Sequence, residues 1–208
     1  MKLLFFVLSF SVAAIGFAQS DKYQTAMTTA IAAMDSAKTT AEKQSAAVNF
    51  EHIGNEEKNQ WLPFYYAGLC YATIGWTDTS IDKDANAKKV LDLCDKAEAI
   101  EKNSEIYVLR NMATLQQLLV DPQSRFRTYG MMASQALSTA KELDPKNPRI
   151  YYMEGMSVLG TPEQFGGGKS AAKPILEKAV ALFKEEKPKP LYPHWGQQKA
   201  EAALAQCR

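Results

Sequence analysis

The chain has 208 residues, of which 46% are hydrophobic and 23% are charged, and its formal net charge is +1. This length is typical of a single domain, and the apolar content is too high for an intrinsically disordered protein. A near-neutral charge with no basic stripe along the sequence argues against a nucleic-acid-binding protein and against a polybasic membrane patch.

The first residues have the three-part plan of a secretory signal. A lysine supplies the positive start, residues 3–15 form an apolar run interrupted only by serines, and the small residues Gly16 and Ala18 precede a cleavage point. About 20 apolar residues are needed to span a bilayer, and this run is shorter. An uncleaved N-terminal anchor is the alternative. We therefore expect residues 1–18 to be a signal peptide. Residues 19–208 are expected to form one helical domain, periplasmic or secreted, with no transmembrane segment.

Almost every segment of the mature chain carries the helical period of apolar residues. Thr39 and Glu42 form a capping-box signature, and Gly54 is a helix-ending residue. The pattern predicts helices at residues 21–38, 39–54, 63–76, 87–101, 104–119, 128–143, 148–159, 169–185 and 194–206. Insertions between helices are predicted at residues 77–86, 120–129 and 161–167.

Small and large apolar residues recur at fixed spacings in alternate helices. In one set, glycine follows an aromatic residue by four positions, as Gly68 follows Phe64 and Gly155 follows Tyr151. Glycine and alanine let two helices approach closely, and a large residue fills the space beside them. The other set carries small–large–small triplets: Ala133, Leu137, Ala140; Ala172, Leu176, Ala179; and more loosely Ala46, Phe50, Ile53 and Val90, Cys94, Ala97.

These residues resemble the tetratricopeptide-repeat (TPR) family over residues 22–186. The resemblance implies an all-α fold, a TPR-like α-solenoid of about four helix hairpins with a C-terminal capping helix. It also implies a concave face lined by the first helix of each hairpin. The chain departs from the family's period of about 34 residues at its three insertions. Residues 125–130, 162–169 and 193–196 are further similar to exported TPR-like proteins of Bacteroidetes-type bacteria, a group without an assigned activity.

Motifs for catalysis, metal ions or cofactors are missing from the sequence. Residues 166–170 lack the spacing of a phosphate-binding loop and follow a predicted helix instead of a strand. A zinc site needs about three or four ligands, and neither His52 nor His194 has such neighbours in the sequence. No serine has the sequence context of a nucleophile elbow. We expect no enzyme activity, no metal and no cofactor. Cys70 and Cys94 are expected to be buried thiols, with a disulfide between them as the alternative.

The concave face is the predicted binding surface, and its residues should flank the packing glycines. This face lacks the lysine and asparagine pattern with which the best-known TPR relatives clamp a peptide carboxylate. An equal alternative is that these side chains belong to the core. The predicted contacts are Tyr65, Tyr66, Leu69, Arg110, Arg149, Tyr152 and Met156.

Loop residues with arginine and aromatic side chains are further candidate contacts. Arg125 and Arg127 present donors that suit an anion, and Tyr129 and Phe165 are aromatic. The alternative for the arginines is structural, because they can bond the free carbonyls of helix ends.

The sequence favours an exported scaffold that binds a protein or peptide partner through its concave face. The alternative is a periplasmic small-molecule binding component of the transporter-associated kind, in which the inserted loops cap an apolar pocket. An enzyme would require ionisable groups that converge in a pocket. An open groove favours the scaffold, whereas an enclosed cavity favours the small-molecule binder.

Overall fold

The computed structural model describes residues 21–207, and within this range the chain is all-α. Besides the α-helices there are a π-helical turn at Phe126–Gly130 and a 3-10 turn at Glu163–Phe165. The α-helices are α1 (Asp21–Ser36), α2 (Thr40–Glu56), α3 (Leu62–Thr77), α4 (Lys83–Glu98), α5 (Ser104–Leu118), α6 (Pro122–Arg125), α7 (Met131–Leu143), α8 (Pro148–Gly160), α9 (Lys169–Glu185) and α10 (Gln197–Gln206).

The long helices pack in successive antiparallel pairs, α1 with α2, α3 with α4, α5 with α7, and α8 with α9. α10 covers α9 as a cap, and α3, α5 and α8 also contact one another in turn. The first helices of the pairs therefore form an inner layer and the second helices an outer layer. The all-α, TPR-like prediction is confirmed.

Two glycines allow the close helix approach that their spacing predicts. A Cβ atom at Gly68 would lie 2.8 Å from Leu109 Cδ2, and one at Gly155 would lie 2.6 Å from Leu176 Cδ2. Both distances are below van der Waals contact, so a larger side chain would push α3 from α5 and α8 from α9. Leu176 is the large residue of a predicted triplet and fills the space that Gly155 leaves.

The capping box at the start of α2 is also confirmed. The Thr39 hydroxyl accepts a hydrogen bond from the Glu42 backbone N–H at 3.2 Å, and the Glu42 carboxylate accepts one from the Thr39 N–H at 2.9 Å. Gly54, in contrast, does not end this helix, which continues to Glu56. A Cβ atom at Gly54 would lie 2.9 Å from the Phe64 ring, so this glycine serves packing between α2 and α3.

Three other boundaries differ from the prediction because of local capping. Asp82 caps α4, which begins at Lys83 and takes up part of the predicted insertion. Asp121 caps α6, so the insertion at residues 120–129 is mostly helical. The last helix begins at Gln197, later than predicted, because Gly196 has a φ of +110° that no helical residue adopts.

The cysteines are free and buried, so Cys70 and Cys94 do not form a bridge. Burial raises the pKa of each of these two thiols to about 12, which keeps them protonated. No helix within residues 21–207 is both long and apolar enough to cross a bilayer. The predicted signal peptide, residues 1–18, lies outside the described residues.

Candidate functional site

A cavity of about 880 Å³ lies on the inner layer of helices. Its volume falls within the range of about 300–1,000 Å³ that is typical of small-molecule sites. The cavity is only partly enclosed, so its shape lies between an open groove and a closed pocket. Its lining comprises Met34, Asp35 and Ala37 at the end of α1, Lys43 of α2, Leu69, Cys70, Thr73, Trp76 and Thr77 of α3, Met112 of α5, Tyr152, Met153 and Met156 of α8, and residues 194–199.

The cavity lining is mainly apolar and is rich in methionine. Met34, Met112, Met153 and Met156 contribute thioethers from three different helices of the inner layer. Methionine side chains are flexible and polarizable, so they adapt to ligands of irregular outline and pack well against aromatic rings. These positions suit an apolar ligand that fits between helices.

The C-terminal strap, defined here as residues 186–196, connects α9 to α10 and completes the cavity. Its last residues, His194, Trp195 and Gly196, belong to the lining. The sequence had assigned capping of the groove to three inserted loops, but of those loops only Thr77 contributes to the lining. The strap, and not the insertions, therefore caps the cavity.

Arg149 anchors the strap from inside the core, where it is 0% exposed. Its guanidinium donates to both carboxylate oxygens of Glu186 at 2.6 and 3.1 Å and to Glu105 at 3.2 Å. It also donates to the Pro193 carbonyl oxygen at 2.8 Å. Burial opposes the charge, but the two carboxylates more than offset this effect, so the pKa of Arg149 lies above its usual value.

Tyr65 and Tyr66 are 0% exposed and also hold the strap. The Tyr65 hydroxyl donates to Glu105 at 3.1 Å and accepts from Trp195 Nε1 at 2.8 Å. The Tyr66 hydroxyl donates to the Leu191 carbonyl oxygen at 2.9 Å. Burial raises the pKa of both phenols, so they remain neutral donors.

The predicted concave-face residues thus divide into three sets. Leu69, Tyr152 and Met156 line the cavity and lie together. Tyr65, Tyr66 and Arg149 lie beneath it in the core, as the alternative interpretation held. Arg110 lies apart from the cavity, where it pairs with Asp95 at 2.7 Å and with Glu98 at 2.6 Å of the neighbouring α4.

The predicted loop contacts do not gather at the cavity. Arg125 donates to both carboxylate oxygens of Asp84 and to the Gln117 carbonyl oxygen at 2.9 Å near the end of α5, which fits the structural alternative. Tyr129 lies beneath this guanidinium at 5.6 Å. Arg127 and Phe165 are exposed elsewhere on the surface.

Charged and polar groups occur at the edge of the apolar lining. His194 Nε2 lies 3.0 Å from Asp35 Oδ2, which joins the strap to the end of α1. Lys43 and Lys199 also belong to the lining and contribute positive charge from α2 and α10. The site therefore offers apolar walls with cations at the margin.

Several lining residues were missed by sequence reasoning. Met34 and Met112 lie on inner helices that lack the packing glycine, so their phase could not be aligned with α3 and α8. Trp195 was assigned to the capping helix, although it precedes a glycine with positive φ that marks a turn. No pattern in the sequence connects Lys43 with Lys199, since only the tertiary fold brings them to one cavity.

The described residues offer no multidentate metal site. Within residues 21–207, no group of three or more His, Cys, Asp or Glu side chains could hold a metal ion. Cys70 is the thiol nearest this role because it lines the cavity, but its pKa of about 12 disfavours the thiolate that a metal requires.

The chain is similar to a protein of known structure. No family model matches the chain, and no curated protein matches it. Among solved structures, the HusA haemophore from Porphyromonas gingivalis is similar over nearly the whole domain. The two chains are 36% identical and superpose with a TM-score of 0.82, and the match covers 91% of this chain and 94% of that chain.

Proposed function

Because the chain belongs to the family of the HusA haemophore, we propose that it binds haem in the cavity of its inner helix layer and carries it outside the cytoplasm. The family favours the small-molecule binder over the protein-binding scaffold that the sequence put first. It agrees with the expectation of a binding protein that is not an enzyme. The observation that carries the proposal is the partly enclosed apolar cavity of about 880 Å³.

The lining suits the macrocycle of haem. Haem is a broad, flat and largely apolar ligand, and burying apolar surface contributes about 25 cal/mol per Å². Thioethers of the inner helices and the rings of Tyr152 and Trp195 provide this surface on several sides. Because Met112 and Met153 are fixed in the core at 8% and 6% exposure, much of the cavity exists before a ligand arrives.

The margin suits the two propionates of haem. Lys43 and Lys199 lie in the lining and carry charges opposite to a carboxylate. Exposed ion pairs are worth about 0–1 kcal/mol each, so the lysines orient the ligand more than they supply affinity. Asp35 is paired with His194, which reduces its repulsion of the propionates.

The donor groups in the lining limit how the iron of the cargo could be held. Cysteine, tyrosine, histidine and methionine are the side chains that ligate haem iron in proteins. Burial raises the pKa of Cys70 to about 12 and also raises the pKa of Tyr152, so neither is readily available as an anion. The remaining donors are His194 and the thioethers, and apolar contact is the main source of affinity.

A charge placed in the cavity wall tests the proposal. The Met156→Asp variant puts a carboxylate beside the macrocycle, and we expect at least a tenfold loss of haem affinity in a titration followed at the Soret band. Met156 is 36% exposed, so the variant should fold. Met131→Asp makes the same change at a residue that is 70% exposed and outside the cavity lining, and it should bind like the wild type.

Two results would contradict the proposal. A wild-type protein that leaves the haem spectrum unchanged is not a haem carrier. Equal haem affinity in both variants and the wild type would move the site away from this cavity. A fall of equal size in both variants would show that added negative charge, not the cavity, governs the affinity.

A further inference from the structure

We propose that Trp195 is the stacking surface that selects a planar aromatic ligand, and that Tyr65 and Arg149 are positioning residues that set the orientation of its indole. This inference rests on the proposed haem site and names the side chain that the macrocycle contacts face to face. Trp195 belongs to the cavity lining and is partly exposed there.

The indole of Trp195 is held both at its edge, by a hydrogen bond, and on one face, by a cation. Its Nε1–H donates to the Tyr65 hydroxyl at 2.8 Å, and that hydroxyl donates in turn to Glu105 at 3.1 Å. The guanidinium carbon of Arg149 lies 5.5 Å from the indole centroid. Tyr152 meets the indole edge-on, with centroids 6.4 Å apart and planes inclined at 75°.

The backbone on both sides of Trp195 is fixed as well. Arg149 donates to the carbonyl oxygen of Pro193 at 2.8 Å. Gly196 has a φ of +110°, and a Cβ atom there would lie 2.7 Å from the Phe183 ring. Only glycine fits this conformation and this approach, so the direction of the chain after Trp195 is determined by the fold.

A preset ring has two physical advantages as a ligand surface. A side chain that is already immobilised loses little rotamer entropy on binding, which improves affinity. The Arg149 cation near the indole draws electron density toward itself, which reduces repulsion between the indole and the electron-rich face of a second aromatic system. The second effect acts only on a ligand with a planar aromatic face, so the ring discriminates by ligand shape.

Trp195 differs from the other two tryptophans in this respect. Trp61 is 5% exposed and packs edge-on against Tyr65 and Tyr192, away from the large cavity. Trp76 is in the cavity lining but is 43% exposed at its margin. Trp195 alone among the three tryptophans combines the cavity lining with a hydrogen bond to Tyr65 and a cation–π contact with Arg149.

The first test replaces the ring itself. We expect Trp195→Leu to weaken haem binding about tenfold, the size of a lost aromatic contact, and to abolish circular dichroism induced in the Soret band. Trp195→Phe keeps an aromatic face and should recover part of both signals. If Trp195→Leu binds haem with wild-type affinity and the same induced signal, the inference is overturned while the haem site stands. If the wild type itself does not bind haem, the proposed function fails first.

The second test separates the orientation of the indole from general loosening of the strap. Tyr65→Phe removes the acceptor of the Trp195 N–H, whereas Tyr66→Phe removes the bond to Leu191 elsewhere in the strap. Both tyrosines are equally buried, so the two variants are matched in burial, although Tyr65→Phe also removes the bond to Glu105. We expect Tyr65→Phe to lose about threefold in affinity and to alter the induced signal, with a smaller change for Tyr66→Phe. Equal changes in both would overturn the role of Tyr65 as a positioning residue.

Discussion

The inner helix layer and the C-terminal strap build the same cavity in different ways. The helices contribute lining residues at regular spacing. Glycines such as Gly68 and Gly155 allow these helices to pack closely against their neighbours. The strap has no regular secondary structure and is held by a buried charge, Arg149, with two carboxylates and a carbonyl. Repetitive helix packing builds most of the cavity wall. The remaining side of the cavity is completed by the strap, which depends on the polar network around Arg149.

The largest effect is expected from removing the charge that holds the strap. Arg149→Met leaves Glu105 and Glu186 without their cation, and breaking a buried pair in this way costs about 3–5 kcal/mol of unfolding free energy. Urea unfolding would measure the loss, and haem binding should fall in the same variant because the strap is released. The matched change Arg110→Met breaks a partly exposed pair with Asp95 and Glu98, for which about 0–1 kcal/mol is expected.

A strap held mainly by its apolar contacts would give a different result. In that case Arg149→Met and Arg110→Met would have similar unfolding free energies. The strap and the helices would then differ in secondary structure but not in the kind of interaction that stabilises them.

An intermediate effect is expected from overpacking the inner layer. Gly155→Ala places a methyl group 2.6 Å from Leu176 Cδ2, and we expect a loss of about 1–3 kcal/mol in unfolding free energy. Gly160→Ala is the control at the end of the same helix, because nothing lies within 4 Å of its added Cβ atom. Thermal unfolding of the two variants would compare them, and equal midpoints would show that α8 and α9 can separate without cost.

The smallest effect is on the pH dependence of stability, through the carboxylate of Asp78, which follows α3 and accepts a hydrogen bond from Thr40 at the start of α2. Hydrogen bonds from Ser80 and Thr40 lower the pKa of Asp78 from 3.8 to about 2. An acid with a lowered folded-state pKa stabilises the fold above its unfolded pKa, and this stability is lost as pH falls from about 4 to about 2. The unfolding midpoint of Asp78→Asn should therefore depend less steeply on pH in this window. Parallel pH curves for variant and wild type would argue that the bonds of Asp78 are not formed in solution.

The sequence was a good guide to the inner layer because its packing rules are local. Gly68, Gly155 and Leu176 could be identified from spacing. Helical phase placed Leu69, Tyr152 and Met156 on the concave face, and these three residues line the cavity. The phase did not distinguish cavity from core for Tyr65 and Tyr66, since adjacent positions of a helix buried on all sides look alike. Burial on every side of α3 is a tertiary property that its residues alone do not disclose.

The strap was beyond prediction for a different reason. Helical phase placed Arg149 on the concave face, with the core as the alternative. Arginine is rarely buried without partners, and the partners of Arg149 are distant in sequence. Glu186 and Glu105 are separated from Arg149 by 37 and 44 positions. Only a fold that already brings α5, α8 and α9 together explains why this charge can be buried.

The long sequence separations of the strap bonds also set an order of assembly. Trp195 bonds to Tyr65 across 130 positions, and His194 reaches Asp35 across 159 positions. During synthesis the first three helix pairs can form while the strap is still inside the ribosome. The cavity is therefore complete only when translation is nearly finished, so a chain still emerging from the ribosome has no preformed site to load.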